Sequence, residues 1–274
     1  MGKKRDTPSE DVKPRVSCEI SECLLPIDVI LQSSDGVRFA AHSINLEIYS
    51  SAFPPAAFGP TPDEIVHLPE SSEVIRLLLR YMHHHRQPDS EVITFDVLEG
   101  LAEAVEKYVI YSAMEVCKIK MKEAISDHPL EVLVYAAKHG YPDMCDKAAP
   151  ATLSYSLEDI KKYLQHRIGI FIFMAKVQYR ECWLELIDFA YKDPEVLPHC
   201  LHRGGIRECE KWVPFHHAVI TEIRVDPSRM AGIKSLIESK KYLIECLQCN
   251  SRANYWASTL STRITSVPNF SSFL

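Results

Sequence analysis

Residues 28–53 constrain the fold more than any other stretch of this sequence, because two strand patterns, a turn and a helix start follow one another without a break. Apolar residues alternate with other residues on both sides of the Asp35-Gly36 pair, which is typical of half-buried strands. Asp-Gly suits the positive backbone φ angles of a tight turn between antiparallel strands. The sequence therefore predicts a β-hairpin whose core-facing residues are Val29, Leu31, Val37 and Phe39.

A short helix is predicted directly after the hairpin, beginning near His42-Ser43, and it carries the apolar residues Ile44, Leu46, Ile48 and Tyr49. Residues 54–64 contain four prolines, which lack a backbone donor and fix φ, so this segment is predicted to be an irregular loop. A third strand is expected over residues 64–68. The hairpin, the helix and this strand predict a small sheet with helices beside it.

Helical patterns dominate the rest of the chain. Apolar spacing of three and four residues predicts helices over 71–83, 94–125 and 143–153, with a capping box at Ser112–Glu115 restarting the helix within 94–125. Pro129 suits a first helical position and Gly140 a helix end, so 129–139 is predicted to be helical. The apolar run at 168–175 is too short for a membrane span of about twenty residues, and it is predicted to begin a buried helix.

The element order and several short motifs resemble the opening of the BTB (POZ) domain, whose pattern is D-V-x-L, a turn, F-x-A-H-K and a short helix ending in S-x-x-F. The matching residues are Asp28, Val29, Leu31, Phe39, Ala41, His42, Ser50 and Phe53. Ser43 stands where the family commonly has Lys. With the segment that follows the domain, the sequence is most similar to the large fungal (basidiomycete-type) BTB family.

This resemblance implies an α+β fold, in which a BTB/POZ-like N-terminal domain with a small mixed sheet flanked by helices precedes an all-α C-terminal region. The domain is expected over residues 26–127 and the helical region over 128–274. Residues 1–25 are polar and include Pro8 and Pro14, so they are predicted to form a disordered tail.

The formal net charge of −6 disfavours a surface dominated by phosphate contacts, so neither nucleic acid nor a membrane is expected as a partner. The first residues are charged where a signal peptide would be apolar, which predicts a cytoplasmic or nuclear protein. In those compartments the nine cysteines are expected to be reduced thiols or metal ligands rather than disulfides.

A cysteine pair near the C-terminus, Cys246-x-x-Cys249, has the spacing of zinc ligands. A structural zinc at this pair would be completed by Cys200 and Cys209, with His199 or His202 as alternative ligands. The other interpretation is that these four cysteines are small buried apolar residues. Cys18, Cys23, Cys117, Cys145 and Cys182 show no ligand-like partner, and His83-His84-His85 is predicted to be a solvated helix end.

The resemblance implies a non-catalytic protein–protein interaction protein that acts through its BTB domain, either by forming a homodimer or as an adaptor. One alternative is a substrate adaptor of a cullin-type ubiquitin ligase, which would dock through Tyr49, Phe53 and Phe58. A transcription regulator is a further alternative. A zinc-dependent enzyme is disfavoured, because the sequence contains no H-x-E or HExxH motif.

Overall fold

The hairpin at Asp35-Gly36 is present and builds a three-stranded sheet. Strand β1 (Val29–Gln32) pairs antiparallel with β2 (Arg38–Ala41), and Gly36 adopts the positive φ of 84° for which glycine is suited. Strand β3 (Ile65–His67) pairs parallel with β1, giving the order β2-β1-β3. The predicted mixed sheet is confirmed, and the first strand in the chain is the central one.

The computed structural model describes residues 16–59, 64–164, 167–192 and 209–274, including all side chains there except those of Phe58, Arg167 and Ile168. The chain divides into two units at the Glu123/Ala124 boundary. The N-terminal unit contains the sheet and helices, whereas the described part of the C-terminal unit is helical. This arrangement confirms the predicted fold class.

The residues predicted to face the core from the hairpin are buried except Val37. Val29, Leu31 and Phe39 are almost completely buried, but 40% of Val37 is exposed. The prediction for Val37 was wrong because its backbone belongs to the turn: its N–H donates to Ser33 Oγ at 2.9 Å, and β2 begins only at the next residue.

Four helices flank the sheet in the N-terminal unit, and α2 packs on α3, which packs on α4. They are α1 (Ser43–Tyr49), α2 (Ser72–Tyr81), α3 (Phe95–Tyr108) and α4 (Tyr111–Glu123). The predicted cap at Ser112 was wrong, because the Ile110 carbonyl already accepts the first helical hydrogen bonds of α4. Members of the core shared by these elements are Leu31, Ile75, Leu78, Tyr81, Leu101, Val105, Ile110, Cys117 and Met121.

Asp35 has a second role beyond the turn. Its carboxylate accepts hydrogen bonds from the backbone N–H of Ser72 at 3.0 Å and from the Ser72 hydroxyl at 2.6 Å. These bonds hold the hairpin turn against the start of α2. Hydrogen bonds from Ser33 and Ser72 keep the pKa of Asp35 below its ordinary value, because they stabilise the carboxylate.

The described helices of the C-terminal unit include one that matches its prediction residue for residue, α5 (Pro129–His139), which Gly140 ends at a φ of 74°. The others are α6 (Pro142–Ala148), α7 (Leu157–Tyr163), α8 (Arg167–Tyr191), α9 (Trp212–Val225), α10 (Ile233–Lys240) and α11 (Leu247–Ile264). The C-terminal turn is fixed to α6, since Ser271 donates from its N–H and hydroxyl to the Asp146 carboxylate.

The apolar start of α8 is only partly buried. Ile172 and Ala175 face the core, but more than half of Ile170, Phe171 and Met174 is exposed. The prediction of a buried helix was wrong because only residues three or four apart share the helix face that packs on the core. The residues between them stay exposed, however apolar the run is. Among the described residues, no helix is both long and apolar enough to cross a membrane.

A buried lysine on α8 holds the turn after α6. Lys176 Nζ donates to the Ala149 carbonyl at 3.3 Å and to Thr152 Oγ1. One turn later, Arg180 donates to the carbonyls of Leu153 and Tyr155 at 3.1 Å. Burial, with the nearby Arg180 charge, lowers the pKa of Lys176 to about 7. The ammonium form is therefore disfavoured in the folded protein.

This shift predicts a pH dependence for the C-terminal unit. Above about pH 7 the unfolded chain keeps a proton on Lys176 that the folded chain has lost, so the free energy of unfolding rises with pH. We expect a gain of roughly 1 kcal/mol between about pH 7 and pH 8, below the midpoint at which ordinary thiols titrate. Urea unfolding followed by tryptophan fluorescence measures it, because Trp183, Trp212 and Trp256, the only tryptophans, all lie in this unit.

Lys176→Met is the matched control for this pH dependence. Without the amine, the unfolding free energy should change little over the same pH range. An equal rise in the parent and in Lys176→Met would show that another group is responsible.

Candidate functional site

Helix α1 buries one face and exposes apolar side chains on the other. Leu46 and Asn45 point into the core, whereas Ile44 is 41% and Ile48 is 65% exposed. Ile44 and Ile48 are four residues apart, so they are neighbours on one side of the helix. This helix therefore presents an apolar ridge to solvent.

The segment before β1 adds exposed apolar residues, among them Leu24 and Ile27. It is held against the start of α1, because His42 Nδ1 donates to the Pro26 carbonyl at 2.7 Å and Asp28 accepts from the Ser43 N–H at 2.7 Å. The Ser43 hydroxyl donates to the same carboxylate. We name this patch the α1 surface and define it as Leu24, Ile27, Ile44 and Ile48.

The residues predicted to dock a cullin lie at the end of the same helix and after it. Tyr49 is half-buried at the end of α1. Phe53 stacks on Tyr108 with ring centres 4.9 Å apart and planes 14° apart, so one of its faces is already occupied. Phe58 lies in a short 3₁₀ turn, and its side chain is outside the described part of the structure.

Three of the four predicted zinc ligands lie together in the C-terminal unit. The sulfur atoms of Cys209, Cys246 and Cys249 are all within 4.8 Å of one another. Cys209 and Cys249 are buried, and Cys246 is partly exposed. The fourth predicted ligand, Cys200, lies outside the described residues, as do its alternatives His199 and His202.

Two helix starts position these three thiols. Cys246 is the N-cap residue of α11 and Cys249 lies in its first turn, so the partial positive charge of the helix N-terminus favours both thiolates. Cys209 precedes α9, and its carbonyl accepts from the Trp212 N–H at 2.9 Å.

A buried aromatic cluster fixes α9 relative to α11 behind the thiols. The rings of Trp212 and Trp256 pack edge to face at 6.3 Å, and both side chains are almost completely buried. The guanidinium of Arg252 lies 4.2 Å from the centre of the Trp212 ring, which is a cation–π contact. The three sulfur atoms are thus held at or close to the starts of packed helices.

A second cluster, in the N-terminal unit, consists of Cys18, Cys23, His42 and His83, whose ligand atoms are also all within 4.8 Å of one another. The prediction that Cys18 and Cys23 have no ligand-like partner was wrong. His83 is buried, with 6% exposed, rather than at a solvated helix end. The one local signal in the sequence was the C-x₄-C pair directly before β1.

Comparison with known proteins places the sheet and α1–α4 in a known family. No curated protein matches the chain. The family model of the BTB/POZ domain matches residues 20–125, which hold the hairpin, the α1 surface and helices α1 to α4. The N-terminal part of this protein is therefore a BTB/POZ domain with a small three-stranded mixed sheet flanked by helices.

Proposed function

We propose that this protein is a non-catalytic interaction protein whose BTB domain forms a homodimer through the α1 surface. BTB/POZ domains generally mediate protein–protein interaction and generally lack catalytic activity. The observation that carries the proposal is the exposure of Leu24, Ile27, Ile44 and Ile48 around one short helix.

Physical chemistry favours a second copy of the chain as the occupant of this surface. Contiguous exposed apolar side chains mark interaction sites more often than free surface. A two-fold contact needs only one self-complementary patch, and the four side chains of the α1 surface carry no charge of their own that would repel a second copy. Burying an exposed Ile side chain contributes roughly 1.5–3 kcal/mol, and each dimer buries every such side chain twice.

Ile48→Glu tests the homodimer. The substitution brings two carboxylates together across the two-fold axis, so we expect the dimer dissociation constant to rise roughly 100-fold. Analytical ultracentrifugation over a concentration series measures it. Val92→Glu is the matched control, since Val92 is also exposed, at 76%, but lies away from α1 in a 3₁₀ turn.

A parent protein that stays monomeric at high concentration would remove the homodimer proposal. So would equal dissociation constants for the parent and Ile48→Glu. Circular dichroism of both variants shows whether the fold is kept, because exposed substitutions outside caps and cores usually change stability by less than about 0.5 kcal/mol.

A cullin adaptor is ranked second among the interaction roles. Of its predicted docking residues, Phe53 already packs on Tyr108, which leaves less of that side chain for a partner. A transcription regulator ranks below it, given the negative net charge of the chain. We retain the large fungal BTB group as the proposed relatives.

We also propose a structural zinc at Cys209, Cys246 and Cys249, with Cys200 as the fourth ligand and His199 or His202 as alternatives to it. Supporting this, three thiols lie within 4.8 Å of one another on fixed helix starts. In the cytoplasm or nucleus, where we expect the protein, such thiols remain reduced and able to bind metal. A closed site with four protein ligands is structural rather than catalytic.

A further inference from the structure

Two cysteines and two histidines converge from separate places in the BTB domain. Cys18 and Cys23 flank a turn closed by a hydrogen bond from the Cys23 N–H to the Ile20 carbonyl at 3.0 Å. His42 is the residue before α1, and His83 comes just after α2. Their four ligand atoms lie within 4.8 Å of one another, although Cys18 and His83 are 65 residues apart.

The distances between sulfur and nitrogen match a tetrahedral site. Cys18 Sγ lies 3.4 Å from His83 Nε2, and Cys23 Sγ lies 3.2 Å from His42 Nε2. A tetrahedral zinc with Zn–S bonds of about 2.3 Å and Zn–N bonds of about 2.05 Å separates its S and N ligands by about 3.6 Å. In these two pairs the sulfur and nitrogen atoms need to move apart by only a few tenths of an ångström.

Both imidazoles are held in the tautomer that metal binding through Nε2 requires. His42 Nδ1 lies 2.7 Å from the Pro26 carbonyl oxygen, and His83 Nδ1 lies 2.7 Å from the Leu79 carbonyl oxygen. Since a carbonyl oxygen only accepts, each Nδ1 carries the proton of the neutral ring. Each Nε2 therefore directs a lone pair into the cluster, and the carbonyls act as the outer partners common to zinc-binding histidines.

We propose that Cys18, Cys23, His42 and His83 bind a structural zinc ion. On binding, the two thiols release their protons, and the two thiolates neutralise the charge of Zn²⁺. The resulting site is neutral, which suits the burial of His42 and His83. Two thiolates and two imidazoles are a ligand set typical of closed structural zinc sites.

Such a site joins the segment before β1 to the start of α1 and to the end of α2. A salt bridge between Glu19 and Arg76 on α2, at 2.9 Å, holds the same segment. Residues 1–25 are predicted from the sequence to be a tail. Cys18 and Cys23 belong to that segment, yet they contact His83 and His42 of the domain. The proposal is independent of the homodimer and of the C-terminal zinc.

Thiol–imidazole hydrogen bonds or a Cys18–Cys23 disulfide are the competing explanations, and alkylation of the full-length protein separates them. Trypsin releases residues 16–38 as one peptide that contains Cys18 and Cys23 and no other cysteine. The zinc-loaded protein is treated with iodoacetamide under native conditions, with and without a chelator. The mass of this peptide then gives the number of labels. We expect no label with zinc and two labels after chelation.

Substitutions then assign the protection to the ligands. His83→Gln should allow labelling without chelator, whereas His84→Gln, the exposed neighbour, should stay protected. Cys18→His keeps four ligands, so Cys23 should remain protected there and become labelled in Cys18→Ser. Zinc content by mass spectrometry should fall by one ion per chain in His83→Gln and Cys18→Ser.

Three outcomes overturn the proposal. Labelling that a chelator does not change would show that metal has no role. A peptide two mass units lighter that resists labelling would indicate a disulfide. Unchanged zinc content in both His83→Gln and Cys18→Ser would place any bound metal elsewhere.

Discussion

Leu31→Asp is expected to unfold the N-terminal unit. Leu31 is 1% exposed and lies in the central strand, paired with Phe39 on one side and Val66 on the other. A carboxylate at this position would be buried without a partner, which costs more than about 4 kcal/mol. Because a whole domain is stable by only about 5–15 kcal/mol, little or no folded unit should remain. Hydrogen exchange of peptides from residues 29–123 measures the loss.

Val37→Asp is the control for this substitution. It introduces the same side chain six residues later, in the turn, where 40% of Val37 is exposed. We expect near-normal exchange protection in this variant. Slow exchange of the β1 and β2 amides in Leu31→Asp would contradict the assignment of Leu31 to the core. Tryptophan fluorescence serves as an internal reference in both variants, since it reports only on the C-terminal unit.

Cys246→Ser is expected to remove one zinc ion and to destabilise the C-terminal unit. Loss of a metal is among the changes that cost about 4 kcal/mol or more. For a unit of this size, that corresponds to a fall in Tm of roughly 8–16 °C. Zinc content by mass spectrometry and thermal unfolding followed by tryptophan fluorescence measure the two effects, and Trp212 lies close to the thiols.

Cys182→Ser, on α8, is the matched control, because Cys182 is a partly buried free thiol outside both cysteine clusters. It should keep the zinc content of the parent and most of its Tm. If Cys246→Ser also kept both, the C-terminal zinc would be ruled out and the three thiols would be ordinary apolar side chains. The N-terminal cluster does not affect this comparison, because its ligands are unchanged.

Local signals in the sequence predicted local structure well. Asp35-Gly36 defined the hairpin, and Pro129 with Gly140 marked both ends of α5, because turn and cap preferences depend on a few neighbouring residues. Cys246 and Cys249 were found for the same reason. Their spacing of three residues is a local pattern that one helix start can satisfy.

The predictions that were wrong concern tertiary packing, which local sequence signals do not determine. Ile170 and Phe171 are exposed because packing partners, not apolarity, decide which face of a helix is covered. The cluster of Cys18 with His83 depends on the packing of the end of α2 against a segment 65 residues away. No spacing rule reports such a contact, and a run of three histidines gives no indication that only the first is buried.

The position of β1 in the middle of the sheet makes the domain sensitive to shortening from its N-terminal side. Both neighbouring strands bond to residues 29–32, so a protease cut that removed these four residues would leave β2 and β3 with no strand between them. A shortened protein that starts at Ser34 should therefore lose the entire sheet, although it retains α1 to α4. Shortening that stops before Cys18 keeps every strand and every sulfur of the domain.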